Sequence, residues 1–270
     1  MSAEFQFAGG SWIGRDHRWA GLNSQDSWTI LTAGDLTIGV VADGCGSHAH
    51  SEVGAQLGVK ILAESIRAAY SGPKHQIKWS RVQQQVVSQL DVLVRAMGGN
   101  YREVIKQYFL FTLLGFVTDG NTITFFALGD GTIVINGVVT NLGPFPNNEP
   151  PYIGYSLMGE DSTVDPDLLR LHPVFAPFDV ADVDSFMLAT DGLDHLVASE
   201  GKKKPGLSGI VGPISQFWQD DKYYALHIAI ERELKLIGRD YPQKDPEFGY
   251  LRDDTTIIVG RRVPQPVETE

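Results

Sequence analysis

Short runs of apolar residues bounded by Gly, Asp or Asn recur along the chain, and they predict β-strands. The runs are rich in Val, Ile, Phe and Thr, residue types that favour pleated, half-buried strands. The predicted strands are Trp28–Ala33, Leu36–Ala42, Phe109–Thr118, Asn121–Leu128, Thr132–Asn136, Ser185–Thr190 and Thr255–Gly260.

Other segments repeat apolar residues every three or four positions, which predicts helices. In Ser51–Tyr70 the repeating positions are Val53, Leu57, Ile61 (or Val59), Ala63 and Ile66. In Val82–Met97 they are Val86, Leu90, Leu93 and Val94. A third helix is predicted at Lys222–Leu236, with inward residues Ala225, Ile228, Ala229 and Leu236. Because the helices are grouped and tight turns join the strands, we expect one mainly antiparallel α+β layered domain over residues 1–270.

Composition and charge narrow the class of protein. The 270 residues are 43% hydrophobic and 20% charged, as in soluble globular proteins. No run of about 18 apolar residues exists, and the N-terminal segment lacks the pattern of a secretory signal. The single cysteine, Cys45, has no internal disulfide partner, which fits a reducing compartment. With a net charge of −11 the chain is not expected to bind nucleic acid. We predict a cytoplasmic protein without membrane or nucleic-acid partners.

Aspartates at strand ends suggest the chemistry. Asp-Gly follows apolar strands at Asp43-Gly44, Asp130-Gly131 and Asp191-Gly192, and Asp253-Asp254 precedes another strand. Asp-Gly is also a common hairpin turn, and we assign Asp119-Gly120 to that use. Taken alone, Asp130-Gly131 also fits a turn, whereas Asp43 and Asp191 are followed by a loop and a helical pattern.

Carboxylates that converge repel each other unless a cation neutralises them. All-oxygen ligands favour hard cations such as Mg²⁺ or Mn²⁺. Two such ions can turn a bridging water into a nucleophile. The pattern therefore suggests a metal-assisted hydrolase.

Five short motifs, taken in their order along the chain, suggest a protein family for this hydrolase. They are Gln25-Asp26-Ser27, Val41-Ala42-Asp43-Gly44-Cys45-Gly46-Ser47-His48, Leu128-Gly129-Asp130-Gly131, Ala189-Thr190-Asp191-Gly192-Leu193 and Asp253-Asp254-Thr255-Thr256-Ile257. Together they resemble the PP2C (PPM) metal-dependent serine/threonine protein phosphatases, in a bacterial-type branch. The resemblance implies a four-layer sandwich in which helix pairs flank two central, mainly antiparallel β-sheets.

The resemblance also implies ligands for two Mn²⁺ or Mg²⁺ ions. Asp43 matches the aspartate that bridges both ions, and Gly44 matches the glycine whose carbonyl oxygen is a ligand. Asp191 and Asp253 match the remaining ligands of the first ion. The nucleophile would be the bridging water, without a phosphoenzyme.

Two further carboxylates have implied roles. Asp26 matches a residue that acts near the second ion through water, and with Asp43 and Asp191 it forms the predicted catalytic set. Asp130 matches a third, weaker metal position shared with Asp191. The implied substrate is a phosphoserine or phosphothreonine protein, and the implied partner is a cognate Ser/Thr kinase.

The chain departs from the family pattern near the phosphate. Gln25 stands where many members have an acidic residue, and Gly21 stands where the family has a phosphate-binding arginine. Arg15, His17 and Arg18 are the basic residues of the same segment that could replace it.

The sequence also leaves open which residue acts as the general acid that donates a proton to the leaving group. Cys45 occupies the place of a histidine proposed as general acid in eukaryotic members, and His48 or His50 could take that role. Cys45 is not expected to be a nucleophile, because a cysteine phosphatase needs an arginine where this chain has Ser51. No GxxxxGK[ST] phosphate loop is present.

Two other functions compete with an active protein phosphatase. A catalytically silent PP2C-like module would bind a phosphoprotein or regulator, as Gln25 and Gly21 would allow. A hydrolase of small phosphorylated molecules is the second. Gly143–Pro177 and Ala198–Pro213, both irregular, are expected to shape substrate choice.

Overall fold

Two antiparallel β-sheets form the centre of the computed structural model, which describes residues 5–72, 77–146, 149–159, 164–242 and 247–263. Strands are numbered along the chain. The first sheet contains, in spatial order, β1 (Phe5–Trp12), β11 (Thr255–Arg262), β10 (Ser185–Ala189), β6 (Thr132–Ile135) and β7 (Val138–Asn141). The second contains β2 (Ser27–Ala33), β3 (Leu36–Ala42), β4 (Leu113–Thr118), β5 (Thr122–Leu128) and β8 (His172–Pro173), while β9 (Phe178–Asp179) also pairs with β5.

Helices cover the outer face of each sheet. They are α1 (Arg15–Ala20), α2 (Ser51–Ala69), α3 (Trp79–Met97), α4 (Tyr101–Tyr108), α5 (Leu193–Val197), α6 (Gln216–Gln219), α7 (Lys222–Ala225) and α8 (Ala229–Gly238). The pair α2 and α3 packs on the second sheet. On the first sheet lie α6, α7 and α8. This order of layers confirms the predicted α+β four-layer sandwich. In the described part of the chain, no helix is long and apolar enough to cross a membrane.

Aromatic rings fill the space between the two sheets. Phe116 of the second sheet lies 4.7 Å from Phe186 of the first, measured between ring centroids. Phe125 lies 5.2 Å from the same ring. Edge-to-face contacts of this kind add about 0.5–1.5 kcal/mol each to the burial of the rings. The sheets are therefore held face to face, which fixes the relative positions of their strand ends.

Most predicted strands are confirmed, but one strand boundary and one helix are not. The strand predicted at Phe109–Thr118 begins at Leu113, because α4 continues to Tyr108. The helix predicted at Lys222–Leu236 is broken, since Leu226 leaves α7 in an extended conformation. Of its predicted inward residues, Ala225 is exposed and Ala229 is partly buried against the core. The buried positions are Tyr223, Ile230, Glu233, Leu234, Ile237 and Gly238.

The buried face of α2 also differs from the predicted stripe. Leu57 is 37% exposed, and the face turned to the core carries Ala55, Val59 and Leu62. Glycines lie on that face: a Cβ at Gly58 would stand 2.2 Å from the Phe111 ring. Helix and ring can approach this closely only because Gly58 has no side chain.

Candidate active site

The strand-end aspartates meet at one cavity of about 390 Å³, to which both sheets contribute. Asp43 follows β3 and Asp130 follows β5; since both strands flank β4 in antiparallel pairing, their ends lie at the same edge. Asp191 follows β10 and Asp253 precedes β11, and these two strands are also antiparallel neighbours. All four carboxylates therefore line the same cavity.

The two Asp-Gly pairs that join strands differ in use. Asp119-Gly120 is a true hairpin turn between β4 and β5, as predicted, and the Asp119 carboxylate accepts the N–H groups of Asn121 and Thr122 at 3.0 and 2.9 Å. Asp130-Gly131 instead carries the chain from β5 in one sheet to β6 in the other. The hairpin interpretation of Asp130-Gly131 is therefore wrong, and its carboxylate faces the cavity.

Burial and mutual repulsion raise the pKa values of three cavity carboxyl groups, those of Asp43, Asp130 and Asp191. Burial, and then repulsion from Asp26 and Asp191, holds the pKa of Asp43 well above its usual range. Burial and Asp191 raise the pKa of Asp130 to about 6. Burial and Asp253 raise the pKa of Asp191. Such a group of acids attracts a cation, because a cation removes the repulsion.

Asp26 lies beneath the cavity rather than in its wall. It precedes β2 and is 6% exposed. Its carboxylate accepts a hydrogen bond of 2.7 Å from the Thr190 hydroxyl, beside Asp191. Burial, together with repulsion from Asp254, raises the pKa of Asp26 well above its usual range. A buried acid at this position can act on the cavity through a neighbour or a water.

Asp254 is a site residue that sequence reasoning missed. Only 3% exposed, it accepts N–H groups from Gly14 at 2.6 Å and from Gln25 at 2.5 Å. The same carboxylate lies 3.0 Å from the His17 Nδ1 atom. It therefore ties together three parts of the site: the segment before α1, the residue before Asp26, and the ring of His17. Its position beside Asp253 was the signal, but an Asp-Asp pair does not indicate which member is buried.

The backbone at Gly44 is held against its neighbours. Its N–H donates to the Gln25 carbonyl oxygen at 3.2 Å, and the Asp43 carbonyl oxygen accepts the Thr112 N–H at 2.8 Å. A Cβ at Gly44 would lie 2.8 Å from both the Gln25 oxygen and the Ser51 hydroxyl. Only glycine fits here, and its carbonyl oxygen accepts no hydrogen bond from the described residues.

The donor set fits hard divalent cations with many water ligands. Among the described residues, no group of three or more His, Cys, Asp or Glu side chains lies close enough together to hold a metal ion by itself. Mg²⁺ often binds through only one or two carboxylates and keeps several waters. The Gln25 Oε1 atom is buried without a hydrogen-bond partner among the described residues, and it is an acceptor that such a water could satisfy.

Of the three basic candidates, only His17 lines the cavity. Arg15 donates to the Gly249 carbonyl oxygen at 3.3 Å. Arg18 donates to the Gly238 carbonyl oxygen at 2.6 Å. Both guanidinium groups are thus used to fix α1 to the end of α8 and the segment before β11.

The proton-donor candidates occupy different surroundings. Cys45 and His48 line the cavity, and the Cys45 Sγ atom lies 3.2 Å from the Ser47 hydroxyl. His50 does not line the cavity; its ring stacks on Tyr108 with centroids 5.0 Å apart. Burial, followed by Lys106, lowers the pKa of His48.

One of the two irregular segments reaches the cavity. Gly143–Pro177, of which residues 147–148 and 160–163 lie outside the described part, contributes Glu149, Tyr152 and Tyr155 to the wall. No described residue of Ala198–Pro213 lines it. Any influence of the second segment on the cavity would therefore be indirect.

Comparison with known families agrees with this architecture. The fold and the acidic cavity define the class of protein phosphatases with a PP2C-like sandwich. The sequence model described as protein phosphatase 2C matches residues 13–227, and the chain belongs to this family. No curated protein matches the chain.

Solved bacterial structures share the fold at low sequence identity. Serine/threonine phosphatase Stp1 from Staphylococcus aureus is 13% identical, with a TM-score of 0.57, over 98% of this chain and 96% of that chain. PppA, a regulatory component of T6SS in Pseudomonas aeruginosa, is 17% identical, with a TM-score of 0.53, over 97% and 99% of the two chains. The Mycobacterium tuberculosis phosphatase PstP/Ppp is 13% identical, with a TM-score of 0.50, over 96% and 98%. These likenesses confirm the fold.

Proposed function

We propose that the chain is an active, metal-dependent phosphatase of phosphoserine and phosphothreonine proteins. The observation that carries the proposal is the convergence of Asp43, Asp130, Asp191 and Asp253 on one cavity. Leaving these acids together without a cation would be unfavourable, as the raised pKa values of Asp43, Asp130 and Asp191 indicate. Family membership supports phosphate ester hydrolysis as the chemistry for such a cavity.

In this proposal Asp43 and the Gly44 carbonyl oxygen hold two Mn²⁺ or Mg²⁺ ions, and Asp191 and Asp253 complete the first position. When bound, the ions would supply an activated water and neutralise phosphoryl charge. Asp26 would orient a water from below, because Thr190 fixes its carboxylate.

A second cavity of about 390 Å³ adjoins the first and shares Asp130, Asp191 and Asp253 with it. This arrangement supports a third, weaker cation position between Asp130 and Asp191. The substrate would enter beside Tyr152 and Tyr155, so we propose that Gly143–Pro177 selects among phosphoproteins. A cognate Ser/Thr kinase would supply them.

The test is phosphate release from p-nitrophenyl phosphate and from a phosphothreonine peptide, with Mn²⁺ or Mg²⁺ and with EDTA. We expect hydrolysis that requires metal and falls about 100-fold or more in Asp191→Asn, because a ligand charge is lost. Asp119→Asn is the matched control: it removes the same charge from an Asp-Gly pair outside the cavity.

Each outcome decides between the alternatives. Hydrolysis of the small ester but not of the peptide would favour a small-molecule phosphatase. No hydrolysis of either compound by folded protein with either metal would refute the proposal and favour a silent binding module.

A further inference from the structure

The cavity wall is strongly acidic, yet its substrate would bring a dianionic phosphoryl group. Among the described residues that line the cavity, the side chains that can carry positive charge are His17 and His48. The arginine that the family resemblance implies is replaced by Gly21, which has no side chain. Apart from the proposed metal ions, a cationic donor to the phosphoryl oxygens would have to be one of these two histidines.

His17 is held in one orientation by a buried acceptor. Its Nδ1 atom lies 3.0 Å from the Asp254 carboxylate, and its side chain is 15% exposed. Asp254 cannot turn away, since the Gly14 and Gln25 N–H groups bind its two oxygens. A ring fixed through Nδ1 has Nε2 as its remaining polar atom, and Nε2 has no hydrogen-bond partner in the described part of the chain.

The two histidines differ in their tendency to be protonated. The hydrogen bond to the Asp254 carboxylate raises the pKa of His17. Burial lowers the pKa of His48, and so does Lys106. An imidazolium with Nδ1 bonded to a carboxylate presents Nε2–H as a donor, and a charge-assisted bond to a phosphoryl oxygen is about twice as strong as a neutral one.

We propose that His17, oriented by Asp254, contacts the phosphoryl oxygens of the substrate and replaces the missing arginine. The inference rests on the proposed function, which makes a phosphate monoester the occupant of the cavity. It also explains why Arg15 and Arg18 can serve as purely structural cations on the same helix.

The experiment measures binding of inorganic phosphate to the Mg²⁺-loaded protein by isothermal titration calorimetry. We expect His17→Gln to weaken binding by about 10- to 100-fold, the loss of a hydrogen bond between charged groups. His17→Arg should restore most of the affinity. Arg18→Gln, which removes a cation from the same helix, should stay within about 2-fold of wild type.

Steady-state kinetics with p-nitrophenyl phosphate provide a second readout. If His17 holds the phosphoryl group, His17→Gln should lower kcat/KM and weaken inhibition by phosphate together. His17→Arg should restore both. A merely structural role would instead lower the melting temperature and would not be rescued.

The outcomes separate this inference from the proposed function. Phosphate binding that depends on His17 in a protein without hydrolytic activity would refute the function and leave the inference standing. Equal phosphate affinity in wild type and His17→Gln would overturn the inference even in an active enzyme. Failure of the wild type to bind phosphate, or loss of binding in His48→Gln alone, would overturn it as well.

Discussion

Asp130→Asn should stabilise the metal-free protein at neutral pH. Asp130 is half-buried at the cavity, and burial together with Asp191 raises its pKa from 3.8 to about 6. Asparagine has nearly the shape of a protonated aspartic acid and carries no charge. The substitution therefore removes an unfavourable charge while preserving the turn between β5 and β6.

The sign follows from the two protonation states. Because the pKa of Asp130 is higher in the folded than in the unfolded chain, the folded state keeps a proton that the unfolded state has lost. The free energy of unfolding therefore falls as the pH rises from 3.8 through about 6. Above that window the full penalty is present, and below it the penalty is absent.

The size of the effect is about 2–3 kcal/mol, since each pKa unit is worth about 1.4 kcal/mol. For a chain of this length that amounts to a rise in melting temperature of about 5 °C. Calorimetric melts in EDTA at about pH 7.5 and about pH 4 provide the measurement. Mg²⁺ should raise the melting temperature of wild type more than that of the variant, because the ion relieves the same repulsion.

Asp119→Asn is the matched control for this prediction. Asp119 also precedes a glycine after a strand, but its carboxylate accepts the Asn121 and Thr122 N–H groups and the Tyr70 hydroxyl. Its loss should lower the melting temperature at neutral pH. The reasoning is wrong if Asp130→Asn fails to stabilise the metal-free protein at neutral pH, or stabilises it equally in acid.

Three further predictions concern the core, the cavity thiol and the buried ion pair. Gly39→Ala should destabilise by about 1–3 kcal/mol through overpacking, because a Cβ would lie 2.2 Å from the Phe116 ring; an unchanged urea midpoint would contradict this. Cys45→Ser should keep metal-dependent hydrolysis within about 3-fold of wild type, because serine can keep the hydrogen bond at this position. A complete loss of hydrolysis in folded protein would instead indicate a catalytic role for the thiol. In EDTA, a nuclear magnetic resonance titration should give His17 a pKa above 6.5, and that pKa should be lower in Asp254→Asn. The stability contributed by this pair should be present below about pH 6.5 and be lost as the pH rises through the folded-state pKa. Identical titration curves in wild type and variant would rule out the ion pair.

Sequence patterns predicted the antiparallel α+β layered domain well because strand composition and turn chemistry are local properties. They failed where the packing depends on absent side chains. The strand β1 was not predicted, because the glycines in its middle interrupt the apolar pattern. In the fold a Cβ at Gly9 would stand 2.6 Å from the Trp28 ring, and one at Gly10 would stand 2.7 Å from the Glu231 nitrogen. These glycines permit a close approach that hydrophobicity does not record.

The predicted buried face of α2 was right at Ala63 and Ile66 but wrong at Leu57, for the same reason. Periodicity selected Leu57, but the face that meets the core includes Gly54, Gly58 and Ser65, which a hydrophobic pattern ignores. Close packing against the Phe111 ring selects small residues there. The sequence thus predicts that a helix exists more reliably than it predicts which side of the helix is buried.

The difference between Asp253 and Asp254 shows how far a motif can specify a site. Asp253 lines the cavity, whereas its neighbour Asp254 is enclosed. Asp254 is enclosed with N–H donors on both of its oxygens, so an asparagine at this position would turn an amide N–H group towards one of these donors. Burial and the surrounding acids raise the pKa of Asp43, and a cation would relieve this repulsion. Neutralising substitutions should therefore have opposite effects on the stability of the metal-free protein, stabilising it at Asp43 and destabilising it at Asp254. The sign of the change distinguishes a carboxylate that is available to bind a cation from one that holds the structure of the site together.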